Sequence, residues 1–327
     1  MSHNTSAASV PAPLVTGMFV RVPTCWVCGG VDLAPYHTLR FELDAYRSGD
    51  QYHELAQYSG QTLDLVRCAR CGFGQPAALP TLPRFFDRMY DQRWEEAWVA
   101  REFDADYKDV IFRTILGEIE RRVASGGRRL LDVGAHAGRF LHLAREAGWD
   151  AEGIELNPRT AAFAASRTGL PVHQMNAQAL ADRGLRYDAV VLTDVLEHIP
   201  EPVALLTTLA ALTRSGGAVA IKVPCGPSQV IKERVLASIS SHRITLADNL
   251  VHVNHFSPRS LGLALSRSGF APVVRAAAPE LQPSHPRSVR TLASNAVRLT
   301  TYGLARLPGG VHTPLALNLQ AYGRRQA

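Results

Sequence analysis

The stretch Leu130-Leu-Asp-Val-Gly134-Ala-His-Ala-Gly138-Arg-Phe-Leu141 decides how the chain is read. It passes from a short apolar segment through a glycine turn into the start of a helix. Glycine in such a turn lets backbone come close to a ligand at a helix N-terminus. A dinucleotide fingerprint requires G-x-G-x-x-G. Here His136 stands at the second glycine position and nothing matches the third. The sequel gives the turn its meaning. Gly153-Ile-Glu155-Leu-Asn-Pro158 ends the next apolar run, with Glu155 21 residues beyond Gly134. An acid at that place accepts both hydroxyls of an adenosine ribose.

Outward from this stretch, Arg128 to Val223 alternates short apolar runs with helical segments, which predicts βαβ units and a largely parallel sheet. Strands are expected near Leu130–Val133, Ala151–Glu155, Pro171–His173, Ala189–Thr193 and Ala218–Val223. Upstream, Tyr107, Ile111, Ile115, Leu116, Ile119 and Val123 recur at three- and four-residue steps, a helical period. Downstream, a helix near Pro258–Ser268 leads into a strand at Ala271–Val274. An amphipathic helix over Ser288–Leu307 and a last strand over Leu315–Tyr322 follow. The expected division is a loose leader (1–20), a cysteine-bearing domain (21–80), a helical linker (81–126), a sheet core (127–276), and a basic helix with a strand completing the core (277–327).

Four of the five cysteines form two knuckles, Cys25-Trp-Val-Cys28-Gly and Cys68-Ala-Arg-Cys71-Gly. Two residues between ligands let one tight turn offer both sulfurs, and four thiolates close a tetrahedral zinc site. The spacing predicts a structural Zn2+ held by Cys25, Cys28, Cys68 and Cys71 in a zinc-ribbon-like domain. Cys225, without a partner, reads as a small buried residue.

The formal net charge is +6, from 35 Lys and Arg against 29 Asp and Glu. Seven arginines and a single acid, Glu280, lie from Ala271 onward, so 28 of each sign remain before it. The excess belongs to the tail, and a neutral body argues against nucleic acid as a partner. No apolar run approaches the length that crosses a bilayer, so no membrane partner is expected. The N-terminus lacks a basic segment followed by an apolar one, which predicts a cytoplasmic protein.

Residues 128–224 resemble a class I S-adenosylmethionine-dependent methyltransferase. That family carries D-x-G-x-G-x-G after its first strand, matched by Asp132, Gly134 and Gly138, with His136 in place of the middle glycine. The resemblance puts the ribose-binding acid at Glu155 and the adenine-flanking position at Asn176 and Ala177. Tyr187-Asp-Ala-Val-Val-Leu-Thr193-Asp194-Val-Leu-Glu197-His198-Ile-Pro-Glu-Pro202 is similar to the family's fourth-strand block, and Leu212-Thr-Arg-Ser-Gly216-Gly217 to its turn before strand five. It implies a Rossmann-like, doubly wound α/β sheet of seven strands that binds S-adenosyl-L-methionine, with Thr193 and Asp194 beside the cofactor. The cysteine domain is similar to that of a subgroup containing C-methyltransferases of nucleotide-linked deoxysugars. Those enzymes usually carry a larger C-terminal α/β domain, and a sequence of this length is expected to be too short for one.

Methyl transfer needs an aligned acceptor, exclusion of water and often a base. The residues after strand four make His198 the candidate base, with Glu197 beside it; both equally suit a loop-shaping role. Asp194, Glu197 and His198 at i, i+3 and i+4 also suit a divalent ion. Tyr90 and Trp94 suit either an acceptor pocket or packing, and His252, Asn254 and His255 either the acceptor or structure. The expected activity is methyl transfer to a small-molecule acceptor, such as an anionic nucleotide-linked sugar or a natural-product intermediate. A zinc-ribbon RNA methyltransferase and a non-catalytic binding protein are the alternatives. The arginines of the last helix suit either steering of an acidic acceptor or a solvated face.

Overall fold

The computed structural model describes residues 17–47, 52–91, 96–104, 106–123, 126–239, 247–281 and 288–326. The N-terminal part holds strands β1 (Phe19–Arg21), β2 (Leu33–Arg40), β3 (Thr62–Cys68), β4 (Gly74–Pro76) and β5 (Ala78–Pro80). Helices α1 (Phe85–Asp91), α2 (Glu96–Asp104) and α3 (Asp109–Glu120) follow. The alternation then runs β6 (Arg129–Val133), α4 (Arg139–Glu146), β7 (Asp150–Glu155), α5 (Pro158–Thr168), β8 (Val172–Gln174), α6 (Ala177–Ala181), β9 (Tyr187–Thr193), α7 (Pro202–Leu212) and β10 (Thr213–Pro224). Last come α8 (Gly226–Ile239), α9 (Pro258–Arg267), β11 (Phe270–Ala276), α10 (Val289–Ala305) and β12 (Asn318–Arg325).

Seven strands form one sheet in the order β11-β12-β10-β9-β6-β7-β8. The five from β8 to β10 are parallel, and β12 runs antiparallel between β10 and β11. The central strands β6, β9 and β10 are largely apolar because both faces of the sheet are covered there. Leu131, Val133, Val190, Leu192 and Ile221 face α6, α7 and α9. Leu130, Ala189, Val191 and Ala220 face α3 and α4. Side-chain caps mark where strand gives way to helix: Asn157 accepts from Arg159 N and Thr160 N, and Ser257 forms a capping box with Ser260. This is the doubly wound α/β sheet that the alternation and the resemblance predicted.

At β6 the winding reverses. Its chain neighbour β7 lies on one side and β9 on the other, so the ends of β6 and β9 open a crevice. Gly138 starts α4 at φ +85°, and a Cβ there would stand 2.8 Å from Thr168 Cγ2 and 3.2 Å from Ala164 Cβ of α5. The glycine is thus required for the close approach of two helices.

The cysteine-bearing part consists of a three-stranded sheet, β2-β3-β4, and the pair β1-β5. Pairing begins at Phe19, inside the stretch read as a leader. This part is fused to the core. Gly74 N donates to His255 O (3.0 Å), His255 N donates to Gly74 O (2.9 Å), and the rings of Phe73 and Phe256 meet at 5.0 Å. Arg40 N and Glu42 N donate to Asp248 Oδ1 and Asn249 Oδ1, which ties β2 to the segment before α9.

The helix expected over Ser288–Leu307 is present as α10, but not with its arginines as a simple solvated face. Ala305 is its only buried residue, and Arg298 turns inward to donate to Glu280 O at 2.7 Å. The apolar side chains point outward.

Replacing Gly138 with alanine is expected to cost about 2 kcal/mol, from the left-handed backbone and the clash with α5 together. Chemical denaturation measures it directly; an unchanged unfolding midpoint would contradict the packing role.

Candidate active site

The crevice holds a cavity of about 670 Å3. That size lies within the usual range for small-molecule and cofactor sites. Its floor is the turn after β6. Gly134 sits at φ +76°, its N–H donates to Ile154 O at 2.9 Å, and a Cβ there would stand 2.5 Å from Val195 Cγ2. Only glycine fits. Asp132, at the end of β6, lines the cavity with its carboxyl buried and Oδ1 without a hydrogen-bond partner among the described residues. Burial, then the nearby charge of Glu155, pushes this carboxyl up to about 8.

Glu155, ending β7, accepts from His136 N (3.0 Å) and from Asn157 N (3.1 Å). Each of its oxygens therefore takes one backbone donor and keeps a lone pair for another. His136 adopts φ +46°, a left-handed conformation, and its ring meets Trp98 of α2 edge-on at 4.9 Å. Asn176 caps α6 by accepting from Ala179 N, and Asn176 and Ala177 both line the cavity. Thr193 and Asp194 line it from the end of β9. Of the glycine-turn residues expected at the cofactor, Gly138 stands outside the lining, committed to the α4–α5 contact.

Across the cavity from Glu155, charges are concentrated. Asp194 is ion-paired to the buried Lys222 of β10, and Lys108 Nζ lies 3.5 Å from its other oxygen. Burial alone would raise the Asp194 carboxyl; Lys222 and Lys108 outweigh it and hold the group well below the usual range. Lys222 also faces Glu280 at 3.8 Å and Lys108 faces Glu102 at 3.7 Å.

His198 follows β9 in a short turn and lines the cavity. Its Nδ1 lies 2.5 Å from Val251 O. A carbonyl only accepts, so Nδ1 carries the proton and Nε2 is the basic nitrogen. The turn is held by Asn254, whose Nδ2 donates to Leu196 O and to Ile199 O at 2.7 Å each. Glu197 O in turn accepts from Val253 N and Asn254 N. The Glu197 side chain is buried away from the cavity lining, with Oε2 unpartnered among the described residues. Burial, then Asp194, pushes its carboxyl up to about 8, so it is protonated at neutral pH. Glu197, His198 and His252 bring one ligand atom each within 4.8 Å of one another, so His252 takes the place that spacing gave to Asp194.

Sequence reasoning missed Trp98, Glu102, Lys108, Lys222 and Glu280. Lys222 carried a signal, a cation inside the apolar strand Ala218-Val-Ala-Ile-Lys-Val. Trp94 lies outside the described residues, as does the side chain of Tyr90.

The four cysteines converge as their spacing predicted. Cys25 Sγ lies 3.6 Å from Cys71 Sγ, and Cys28 Sγ 3.5 Å from Cys68 Sγ. All four sulfurs fall within 4.8 Å of one another, buried and without a disulfide. Tetrahedral zinc with bonds of about 2.3 Å sets sulfurs about 3.8 Å apart, so the tetrad fits the ion.

A family model described as a methyltransferase domain matches residues 104–275, just over half of the chain. A ubiquinone biosynthesis O-methyltransferase of Cereibacter sphaeroides is 33% identical over 118 residues, 33% of this chain and 48% of that protein. Its namesake from Methylococcus capsulatus is 34% identical over 107 residues, 31% of this chain and 45% of that protein. The chain thus spans about half the length of the curated relatives it matches. Among solved structures, a sugar N-methyltransferase from Streptoalloteichus is 18% identical with a TM-score of 0.46, covering 72% of this chain and 94% of the other.

Two outcomes follow from the charges. Unfolded, Asp132 ionises near pH 4; folded, it holds its proton to about 8. Between those values the folded chain binds the extra proton, so rising pH lowers stability. The stability–pH curve of Asp132→Asn should therefore be flatter than wild type between about pH 4 and 8; parallel curves would contradict the assignment. Lys222→Met strands Asp194 without its main partner and should cost about 3 kcal/mol in denaturant melts.

Proposed function

The chain belongs to the methyltransferase-domain family, and we propose that it transfers a methyl group from S-adenosyl-L-methionine to a hydroxyl of a small-molecule acceptor. The observation that carries this reading is His198. Its proton is fixed on Nδ1 by Val251 O, and its ring stands in the wall of the cavity that Asp132 and Glu155 also line.

S-Adenosylmethionine supplies an electrophilic methyl group on a sulfonium. Glu155 takes the ribose hydroxyls with the lone pairs its backbone donors leave open. Asn176 and Ala177 border the adenine side, and the unpartnered oxygen of Asp132 suits the ammonium group of the amino-acid end. On the acceptor side His198 Nε2 receives the hydroxyl proton. Lys108, which lines the cavity, favours the developing alkoxide and an acceptor bearing negative charge. A nucleotide-linked sugar or an acidic natural-product intermediate has that chemistry. Trp98, over His136, helps exclude water. The O-methyltransferase names of the curated relatives agree with a hydroxyl acceptor.

Zn2+ at Cys25, Cys28, Cys68 and Cys71 is structural in this reading, since four thiolates leave no open position. Its influence reaches the site through bonded contacts. The cysteine part holds His255 and Asp248, and the same segment supplies Val251 and Asn254 to the His198 turn.

Calorimetric titration should show S-adenosylhomocysteine binding that Glu155→Ala weakens at least about tenfold, from loss of charge-assisted hydrogen bonds. Tight NAD binding in its place would sink the proposal. Once an acceptor is found by methyl-incorporation screening, His198→Gln should lower kcat by roughly 10²-fold or more with little change in cofactor affinity. Full turnover would remove the base. Metal analysis should return one zinc per chain, and Cys25→Ser with Cys71→Ser should abolish it.

A further inference from the structure

Helix α10 is mounted inside out. Its inward side is polar and is held by a few groups: Arg298 Nη1 donates to Glu280 O, and Tyr302 and Ala305 pack on Ala276 and Ala316. Its outward side is apolar. Leu292 and Leu299 form one row seven residues apart, Val297 and Leu304 another, and small residues lie between them. Val289 is 80% exposed, Val297 63% and Leu292 55%, and Leu307 beyond the last turn 58%. Globular proteins bury the apolar stripe of a surface helix, and a contiguous exposed one marks an interaction surface. The stripe extends over 17 residues, about 25 Å.

The charge around the stripe selects its occupant. From Leu281 to Ala327 the chain carries six arginines and no acid. Arg290 in the first turn and Arg306 after the last are exposed at the two flanks of the apolar face. A second copy of the chain would bring two such segments together with no acid between them. Anionic lipid headgroups meet the arginines while the leucines and valines enter the acyl boundary, the design of a helix that lies in a membrane interface.

We propose that α10 docks, apolar face down, on an anionic lipid bilayer surface. This is peripheral docking: among the described residues no helix is long and apolar enough to cross a membrane. The docked helix is linked to the cavity through Glu280, whose carbonyl accepts from Arg298 and whose carboxylate faces Lys222. The proposal goes beyond methyl transfer and stands without it.

The test is co-sedimentation of the full chain with vesicles of equal phosphatidylglycerol and phosphatidylcholine, and with phosphatidylcholine alone. Wild type should pellet with the mixed vesicles at low salt, bind the neutral ones at least about tenfold more weakly, and be released by high salt. Leu292→Ser with Leu304→Ser should cut partitioning at least about tenfold, through lost acyl-chain contact. Arg290→Gln with Arg306→Gln should do the same by an independent route, with S-adenosylhomocysteine affinity unchanged for both pairs and a thermal midpoint lowered only slightly by loss of the Arg306 bond to the Tyr302 hydroxyl. Wild type remaining in the supernatant overturns the proposal, as does binding that neither pair alters. A dimer in sedimentation velocity that the leucine pair dissolves also overturns it, in favour of a second copy.

Discussion

The site depends on one topological constraint. After β8 the chain must return past β6 to lay β9 on its free side, so the two crossovers leave β6 in opposite directions. The ends of β6 and β9 therefore open a crevice in which the turns after these strands meet a cavity. Gly134 belongs there because the turn after β6 runs against Val195 of the turn after β9. Two loops that share so little space leave no room for a Cβ.

The second consequence is electrostatic. Parallel strands carry all their C-terminal ends to one edge, and there the residue just past β9 faces one near the end of β10. Asp194 and Lys222 meet at that edge with both faces of the sheet already covered. The buried Lys222 would not be stable there without its partner, and Lys108 and Glu102 extend the pairing along the cavity wall while Glu280 pairs Lys222 on its other side. The neutral Glu197, turned away from the cavity, escapes this pairing by keeping its proton. Around Glu155 the arrangement is different: there backbone donors hold the carboxylate.

How much of this the sequence disclosed follows the range of the interactions involved. Elements set by local period and turn chemistry were legible, including the strand–turn–helix around Gly134 and the knuckles of the cysteine tetrad. Blocks ordered along 128–224 likewise brought Asp132, His136, Glu155, Asn176 and His198 to one cavity. Residues delivered from far away in sequence were not legible. Trp98 and Lys108 arrive from the helical linker and Glu280 from a proline-rich stretch, where period and motif carry no sign of the cavity. Gly138 illustrates the converse, since its place in the motif suggested ligand contact while its backbone serves helix packing. For α10 the sequence disclosed amphipathicity but not orientation. The inward face is held by Arg298 on the carbonyl of Glu280 and by Tyr302 and Ala305 on Ala276 and Ala316, contacts between segments with no shared pattern.

The central claim is that the crevice between β6 and β9 seats S-adenosylmethionine with its transferable group toward His198. A crystal structure of the protein with S-adenosylhomocysteine tests it most directly. The account predicts both ribose hydroxyls on the Glu155 carboxylate, the adenine beside Asn176 and Ala177, and the sulfur on the side of the cavity that His198 lines. A nucleoside bound elsewhere, or seated in the crevice with Glu155 out of contact with the ribose, would contradict it.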